Sequence, residues 1–478
     1  MSIFIAFFKR LFLRGQPFVF LGFIQLIISF GVSAQVSFDR YYRFGQEDYG
    51  LAIKEAADQS LMITGYTSWP DSLRMAMTVC KLTSNGDLVW KIAPSPGREN
   101  FAKDIVPGDQ PGTWAVIGSS SDSSGKMRGF WMLIDESGNV LHTQQYYASQ
   151  PLTLHQGIRA ADGYLMCGQL YDPQKSNQFF VIKVGFDGQE IWRRSFGGTA
   201  NEYFKALILW PEGNGILGVG DTQNGNTPTD VMVVKMNTNG DSLASQRYGN
   251  AFANGSQTIL SLPSGGYMVL GESAVEQNGP FQFLMMTLDV QGDSVAGREF
   301  GGPGSDAIFS GAVLGNGDLV VCGYSAAQAQ QPISSCLLRV TPQGQILWLQ
   351  RYQPDTLSIA YRLALCQDGG FAMIATGYGP PVTTRVIRTF SDGMLGATFV
   401  GGDQYFGLSP NPVAFGETVR IEGFWGQQEL ELTNISGQMV QRLKTRGNAP
   451  ITFCPPEPGC YIVRSSSDRL GKLLFVTP

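Results

Sequence analysis

The chain has 478 residues but only two histidines, His142 and His155. A Ser-His-Asp relay would have to use one of them, and neither sits in a pattern that recommends it. There is no His-Glu-x-x-His and no Cys-x-x-Cys. Nor is there a Gly-x-x-x-x-Gly-Lys-Ser/Thr loop or a strand-to-helix dinucleotide turn. Catalytic, cofactor and metal residues are therefore expected to be none. Paired carboxylates stay open, because glycosidase acids come from distant positions. Two recurring polar series are left as candidates. Asp48, Asn100, Glu202, Asn254 and Asp306 follow a Gly-Gly or similar tail. Lys81, Lys183, Lys235, Arg339 and Arg388 lie five residues before a turn glycine, where two other copies have Leu133 and Thr287. Apolar neighbours suggest that these basic stems are half buried. Either the two series pair with each other, or the first forms a polar ring that binds a ligand on one face.

What positions these residues is an internal period. Turn glycines occur at Gly86, Gly138, Gly188, Gly240, Gly292, Gly344 and Gly393, in steps of 52, 50, 52, 52, 52 and 49. A second set closes β-branched or apolar runs at Gly65, Gly118, Gly168, Gly220, Gly271, Gly323 and Gly377, in steps of 53, 50, 52, 51, 52 and 54. Each copy reads as four short strands separated by Gly, Asn and Asp turns, which implies antiparallel meanders. Four strands in about 50 residues are the proportions of a propeller blade. Such a sheet is apolar on both faces, so it is stable only between neighbours, and a closed ring leaves no end exposed. Seven copies predict an all-β, seven-bladed β-propeller over residues 35–402. An eighth fourth-strand tail, Phe38 to Phe44, precedes the first copy and is expected to complete the last blade.

Four residues after the turn glycine stands Trp90, Trp192 or Trp348. This Gly-x-x-x-Trp turn resembles the tryptophan-docking repeat of quinoprotein-type propellers, where it serves as scaffold. An indole buries about 150–250 Å². His142 fills the same slot in the second copy and is read as a packing substitute. His155 is placed in the loop after that copy's fourth strand, with no partner.

Lys plus Arg number 34 and Asp plus Glu 39, a net charge of -5, which argues against a nucleic-acid binder. Charged residues make up 15% and hydrophobic ones 43%, which excludes wholesale disorder. Lys9, Arg10 and Arg14 precede an apolar run at 18–32 that ends in small residues. This reads as a signal peptide over 1–34 cleaved between Ala34 and Gln35, with a membrane anchor as the alternative. Cleavage would remove three cations and no anions, so the charge becomes -5 - 3 = -8. Of seven cysteines, Cys454 and Cys460 flank Pro-Pro-Glu-Pro-Gly and are a possible disulfide. Cys167 and Cys322 share a slot on opposite sides of the ring and should not pair. The other cysteines read as small apolar strand residues.

The period stops at Gly402. Beyond it, alternating runs at 418–422, 429–433, 459–464 and 471–476 predict a small β-sandwich over 403–478. Its Leu408-Ser409-Pro410-Asn411-Pro412 opening, Asn434-Ile435-Ser436-Gly437 turn, Gly459-Cys460-Tyr461 strand and Lys472-bearing last strand resemble the C-terminal sorting domain of the type IX secretion system of Gram-negative bacteria. The resemblance covers about the last 70 residues. It implies outer-membrane secretion machinery as a partner, membrane association only by anchoring after export, and a secreted or cell-surface location. Asn254 and Asn434 match an N-glycosylation pattern that a bacterial origin makes irrelevant. The leading expectation is a non-enzymatic propeller that binds an extracellular glycan or protein. The alternatives are a polysaccharide lyase or hydrolase with acids at the channel mouth, and a purely structural surface protein.

Overall fold

The computed structural model describes residues 35–69, 72–212, 214–225, 227–277, 279–352, 357–395, 407–409, 413–422, 429–434, 438–444, 451–465 and 471–477. Residues 1–34, expected to be a leader, lie outside the described residues, and with them the Ala34 side of the expected cleavage site. The described residues contain strands and turns and no helix. From Phe38 to Thr389 they form seven four-stranded antiparallel sheets, here I to VII. Sheets I to VI are simple meanders beginning at Glu47–Glu55, Asn100–Pro107, Leu152–Ala160, Asn201–Trp210, Asn254–Ser261 and Asp306–Val313. Sheet VII begins at Ser358–Leu365, and its fourth strand is the N-terminal segment Phe38–Tyr42, which runs antiparallel to Thr383–Thr389. The architecture is of the propeller kind.

Period-2 alternation sends each strand's side chains to two neighbours. In sheet III, Tyr164, Met166, Phe180 and Ile182 pack with sheet II, while Leu165, Cys167, Phe179 and Val181 pack with sheet IV. Seven apolar clusters repeat this rule between successive sheets. One of them joins the last sheet to the first through Phe38, Ile53, Ile63, Ile374 and Val386. The succession therefore closes on itself.

The turn glycines serve the same closure. All seven have φ between +76 and +86°, a region where a side chain is strained. A Cβ on Gly138 would lie 3.0 Å from Trp90, one on Gly240 2.3 Å from Trp192, and one on Gly393 2.7 Å from Trp348. Each tryptophan thus docks on the turn of the following sheet. Four residues further on, Tyr146 donates to Gly188 O at 2.9 Å and Tyr352 to Gly393 O at 2.6 Å. The N-terminal strand repeats the pair: Phe38 covers Gly86, and Tyr42 donates to Gly86 O at 2.6 Å. His142 packs beside Trp131, with ring centroids 5.9 Å apart, rather than on the turn glycine. It is exposed, and Trp131 from the adjacent strand occupies the space at Gly188 instead.

The remaining described strands form a three-stranded and a five-stranded sheet. They share a core that includes Val419, Ile421, Leu430, Leu432, Phe453, Tyr461 and Val463. Cys454 and Cys460 are free thiols, contrary to the expected bridge. Cys454 follows a strand of the smaller sheet, and Cys460 pairs with Phe475 in the larger one.

Candidate ligand site at the sheet axis

The first strand of every sheet touches the first strands of both neighbouring sheets, and the last touches the first. Their free edges therefore surround one axis. Each of these strands carries a β-bulge at the same place, and a bulge turns one extra side chain out of the ladder. The extra residues are Leu51, Lys103, His155, Lys205, Gln257, Phe309 and Tyr361. All seven are partly exposed although they lie at the centre of the assembly.

In sheets I to VI a run-closing glycine lies opposite the bulge, where a side chain would meet a carbonyl of the facing strand. A Cβ on Gly168 would sit 1.8 Å from Thr153 O, and one on Gly323 1.9 Å from Ala307 O. In sheet VII this position is Ala375, paired with Ala360, so Gly377 is not the equivalent glycine. Amide groups near the bulge are taken up by the preceding sheet. Gly157 N donates to Asp104 Oδ2 at 3.1 Å, Leu207 N to Gln156 Oε1 at 2.9 Å, and Leu363 N to Ser310 Oγ at 3.3 Å.

The axis has two differently furnished arcs. One is aromatic. Tyr49 stacks on Tyr66 at 4.6 Å, Tyr66 meets Phe101 edge-on at 5.0 Å, and Phe309 meets Tyr361 edge-on at 5.2 Å. Tyr324 adjoins Phe309, and Tyr378 shares a short hydrogen bond with the Tyr361 hydroxyl. Tyr378 is 36% exposed and also meets Tyr49 edge-on at 6.3 Å.

The other arc is polar. His155 lies within 3.2 Å of Thr153 Oγ1 and 3.3 Å of Gln169 Oε1. Burial, with Lys103, Lys205 and Arg362 nearby, lowers its pKa to about 4, so it is neutral above that pH. Lys205 pairs with Asp221 at 3.4 Å, and Asp221 also accepts from Ser256 N at 2.8 Å. Burial and the Asp221 charge raise Glu272 to about 7. Glu272 Oε1 accepts from Gln257 at 3.4 Å, while its buried Oε2 has no partner among the described residues. Such a carboxyl can exchange a proton near neutrality.

The residues singled out by repetition do not form this site. Asp48, Asn100, Glu202, Asn254 and Asp306 are buried and turned onto their own connecting loops. Asp48 accepts from Phe44 N at 2.9 Å, Asn100 from Gly97 N at 2.8 Å, Glu202 from Gly198 N at 3.3 Å, and Asp306 from Gly302 N at 2.9 Å. Asn254 donates to Phe252 O at 2.8 Å. The basic series does not pair with them. Lys81 meets Asp58 at 2.9 Å, Lys183 meets Asp162 at 2.7 Å, Lys235 meets Asp293 at 2.6 Å, and Arg339 meets Asp318 at 2.6 Å. Arg388 takes Glu55 and Asp368. These partners lie in turns at the opposite strand ends, except Glu55, which is the last residue of its strand. His155 belongs to a strand, not to a loop, and it has partners. The signal that locates the site is the residue just after each run-closing glycine, which includes Tyr66, Gln169, Asp221, Glu272 and Tyr324.

Among the described residues, no three His, Cys, Asp or Glu side chains come together as metal ligands. A separate cleft of 340 Å³ lies beside sheets IV and V, lined in part by Arg247, Asn250 and Glu299. Its polar groups are engaged, Arg247 with Asp230 and Glu299 with Ser273.

No family model matches the chain, and no curated protein matches it. Among solved structures it is similar to Sqt1 of Chaetomium thermophilum, at 10% identity over 73% of this chain and 97% of that one, with a TM-score of 0.46. It is similar to the Pan2 WD40 domain of Neurospora crassa, at 12% identity over 71% and 89%, with a TM-score of 0.45. It is also similar to PorZ, a bacterial surface component of the type-IX secretion system of Porphyromonas gingivalis, at 12% identity over 94% and 71%, with a TM-score of 0.33.

Proposed function

We propose that this chain is an exported seven-bladed β-propeller that binds an extracellular glycan at its axis. Residues 1–34 are the leader, 35–402 the propeller, and 403–478 a β-sandwich that addresses the protein to the outer-membrane secretion machinery. The sorting role rests on the ordered motifs of the last 70 residues. The glycan reading rests on one observation, the aromatic arc of Tyr49, Tyr66, Phe309, Tyr361 and Tyr378 set opposite amide and charged groups. Sugar rings present C–H faces that pack on aromatic rings, and their hydroxyls need donors and acceptors beside them. Propeller loops and channel mouths recognise ligands without chemistry on many scaffolds.

The test is a panel of extracellular polysaccharides and proteins offered to the mature chain, with turnover followed alongside. Glycan retention that weakens about tenfold in Tyr361→Ala and Tyr378→Ala supports the reading. Retention of proteins alone, unaffected by these changes, defeats it. One observation favours a second reading, an enzyme acting on polysaccharide: Glu272 titrates near neutrality beside Asp221. Product release that is lost in Glu272→Gln would replace the first reading with the second.

A further inference from the structure

We infer that the axial ligand is an anionic saccharide, its carboxylate or sulfate ester held between Lys103 and Arg362 while the sugar ring lies on the adjoining aromatic arc. This deepens the glycan-binding reading and rests on it. Many of the partly buried cations in the sheets have acids of their own: Lys81, Lys183, Lys235, Arg339, Arg385 and Arg388 each meet a carboxylate. Lys103 and Arg362 do not, and they stand at the axis. Among the described residues, neither meets a carboxylate within ion-pair distance, although both lie on the bulged strands at the axis.

The acids near them are engaged. Asp104 accepts from Ile105 N at 2.9 Å and Gly157 N at 3.1 Å. Asp221 holds Ser256 and Lys205. Glu47 accepts from the Tyr49 hydroxyl at 3.3 Å. Lys103 stands at the seam of the two arcs, its ammonium 5.2 Å from the Tyr66 ring centroid and 5.6 Å from that of Phe101. Arg362 donates to Tyr361 O at 3.2 Å, and its charge reaches His155 and Cys167 in sheet III and Cys322 in sheet VI. Burial lowers the Lys103 pKa, the mark of a cation that has lost water without gaining a counter-ion. A desolvated cation without a partner is costly, and an anion entering from solution relieves that cost for both groups at once. A free inorganic anion would have no use for the aromatic arc, whereas an acidic sugar uses both features.

The mature chain carries two imidazoles, so His142→Gln leaves the His155 ring as a single NMR probe inside the site. Four probes are titrated into it: a uronic-acid tetrasaccharide, a sulfated tetrasaccharide, a neutral tetrasaccharide and sodium sulfate. We expect the acidic sugars to shift the His155 resonances and to bind about tenfold tighter than the neutral one. Added salt should erode that advantage. Lys103→Met and Arg362→Gln should each remove most of it. The uronate and sulfate arms identify the anion. Equal affinity for acidic and neutral sugars, or an advantage that survives both substitutions, overturns this inference and leaves glycan binding standing. A His155 shift with sulfate and no binding of any sugar overturns both readings.

Discussion

Arg385 and Asp39 meet through two parallel hydrogen bonds, Nε to Oδ1 at 2.7 Å and Nη2 to Oδ2 at 2.5 Å, with both side chains buried. The pair joins positions 346 residues apart and fastens the N-terminal strand to the last sheet. Arg385 also donates to Tyr352 O at 3.0 Å, so one guanidinium ties sheets VI and VII to the strand that completes the latter. Forked pairing of this kind fixes geometry as well as charge. Asp39→Ala strands a buried guanidinium and should cost about 3–5 kcal/mol in urea unfolding. Asp39→Leu combined with Arg385→Met removes both charges and should cost much less. An Asp39→Ala protein as stable as its parent would mean that this strand does not hold the last sheet.

The docking of Trp192 on Gly240 gives a second test. Gly240 has φ +77°, and an added Cβ would lie 2.3 Å from the indole. Gly240→Ala should therefore lose roughly 1–3 kcal/mol through backbone strain and overpacking. Trp192→Ala removes the indole that the added methyl would strike. The double variant should then be more stable than the sum of the single losses predicts, by about 0.5–3 kcal/mol. Strict additivity would show that the two residues do not couple.

The turns, the strand order and the closing strand were legible because positive φ admits glycine and few other residues, so the spacing of Gly86 to Gly393 records the repeat directly. Ion-pair partners were not legible in the same way. Lys183 reaches Asp162 in its own sheet, while Lys235 reaches Asp293 in the next, and a linear pattern carries no such distinction. The bulges were invisible because each adds one residue without disturbing a period that already varies by a few. A strand residue such as His155 therefore reads as loop, and Gly377 reads as the run-closing glycine because sheet VII has Ala375 at that position. The two cases separate experimentally. Gly323→Ala meets Ala307 O at 1.9 Å, whereas the nearest atom to a Cβ on Gly377 is Thr383 Oγ1 at 3.1 Å. Chemical denaturation should show a loss of about 2 kcal/mol or more for the first and under about 0.5 kcal/mol for the second. Equal losses would show that the facing carbonyl does not confine Gly323.

Thiol chemistry reports on the C-terminal sheets. Cys454 is exposed and Cys460 half buried, while Cys80, Cys167, Cys322, Cys336 and Cys366 are buried. Burial pushes the Cys80, Cys167, Cys322, Cys336 and Cys366 thiols up, away from the reactive thiolate. A maleimide reagent should label Cys454 fastest in the native protein without reductant, with Cys460 slower and the rest only on unfolding. Mass spectrometry of tryptic fragments reads the order. Labelling of Cys454 that appears only after reduction would show that its thiol is bridged.

The pH dependence of stability should expose His155 and Glu272 as opposing groups. His155 is held at about 4, below the roughly 6.5 of an unfolded chain. Its contribution is intact above about pH 6.5 and is lost as the pH falls toward 4, because the unfolded chain takes up a proton that the folded chain does not. Glu272 is held at about 7, above its unfolded value of 4.5. Its contribution is intact below pH 4.5 and is lost as the pH rises toward 7. Each effect has an upper limit of about 3 kcal/mol. The charges facing His155 are Lys103, Lys205 and Arg362, and those facing Glu272 are Asp221 and Lys205. In the parent protein the two slopes offset each other between about pH 4.5 and 6.5. His155→Gln should leave a stability that falls across that interval relative to the parent, and Glu272→Gln one that rises. Urea midpoints at half-unit pH steps measure both. Profiles of the two variants that run parallel to the parent would show that neither side chain is held in its neutral form at the axis.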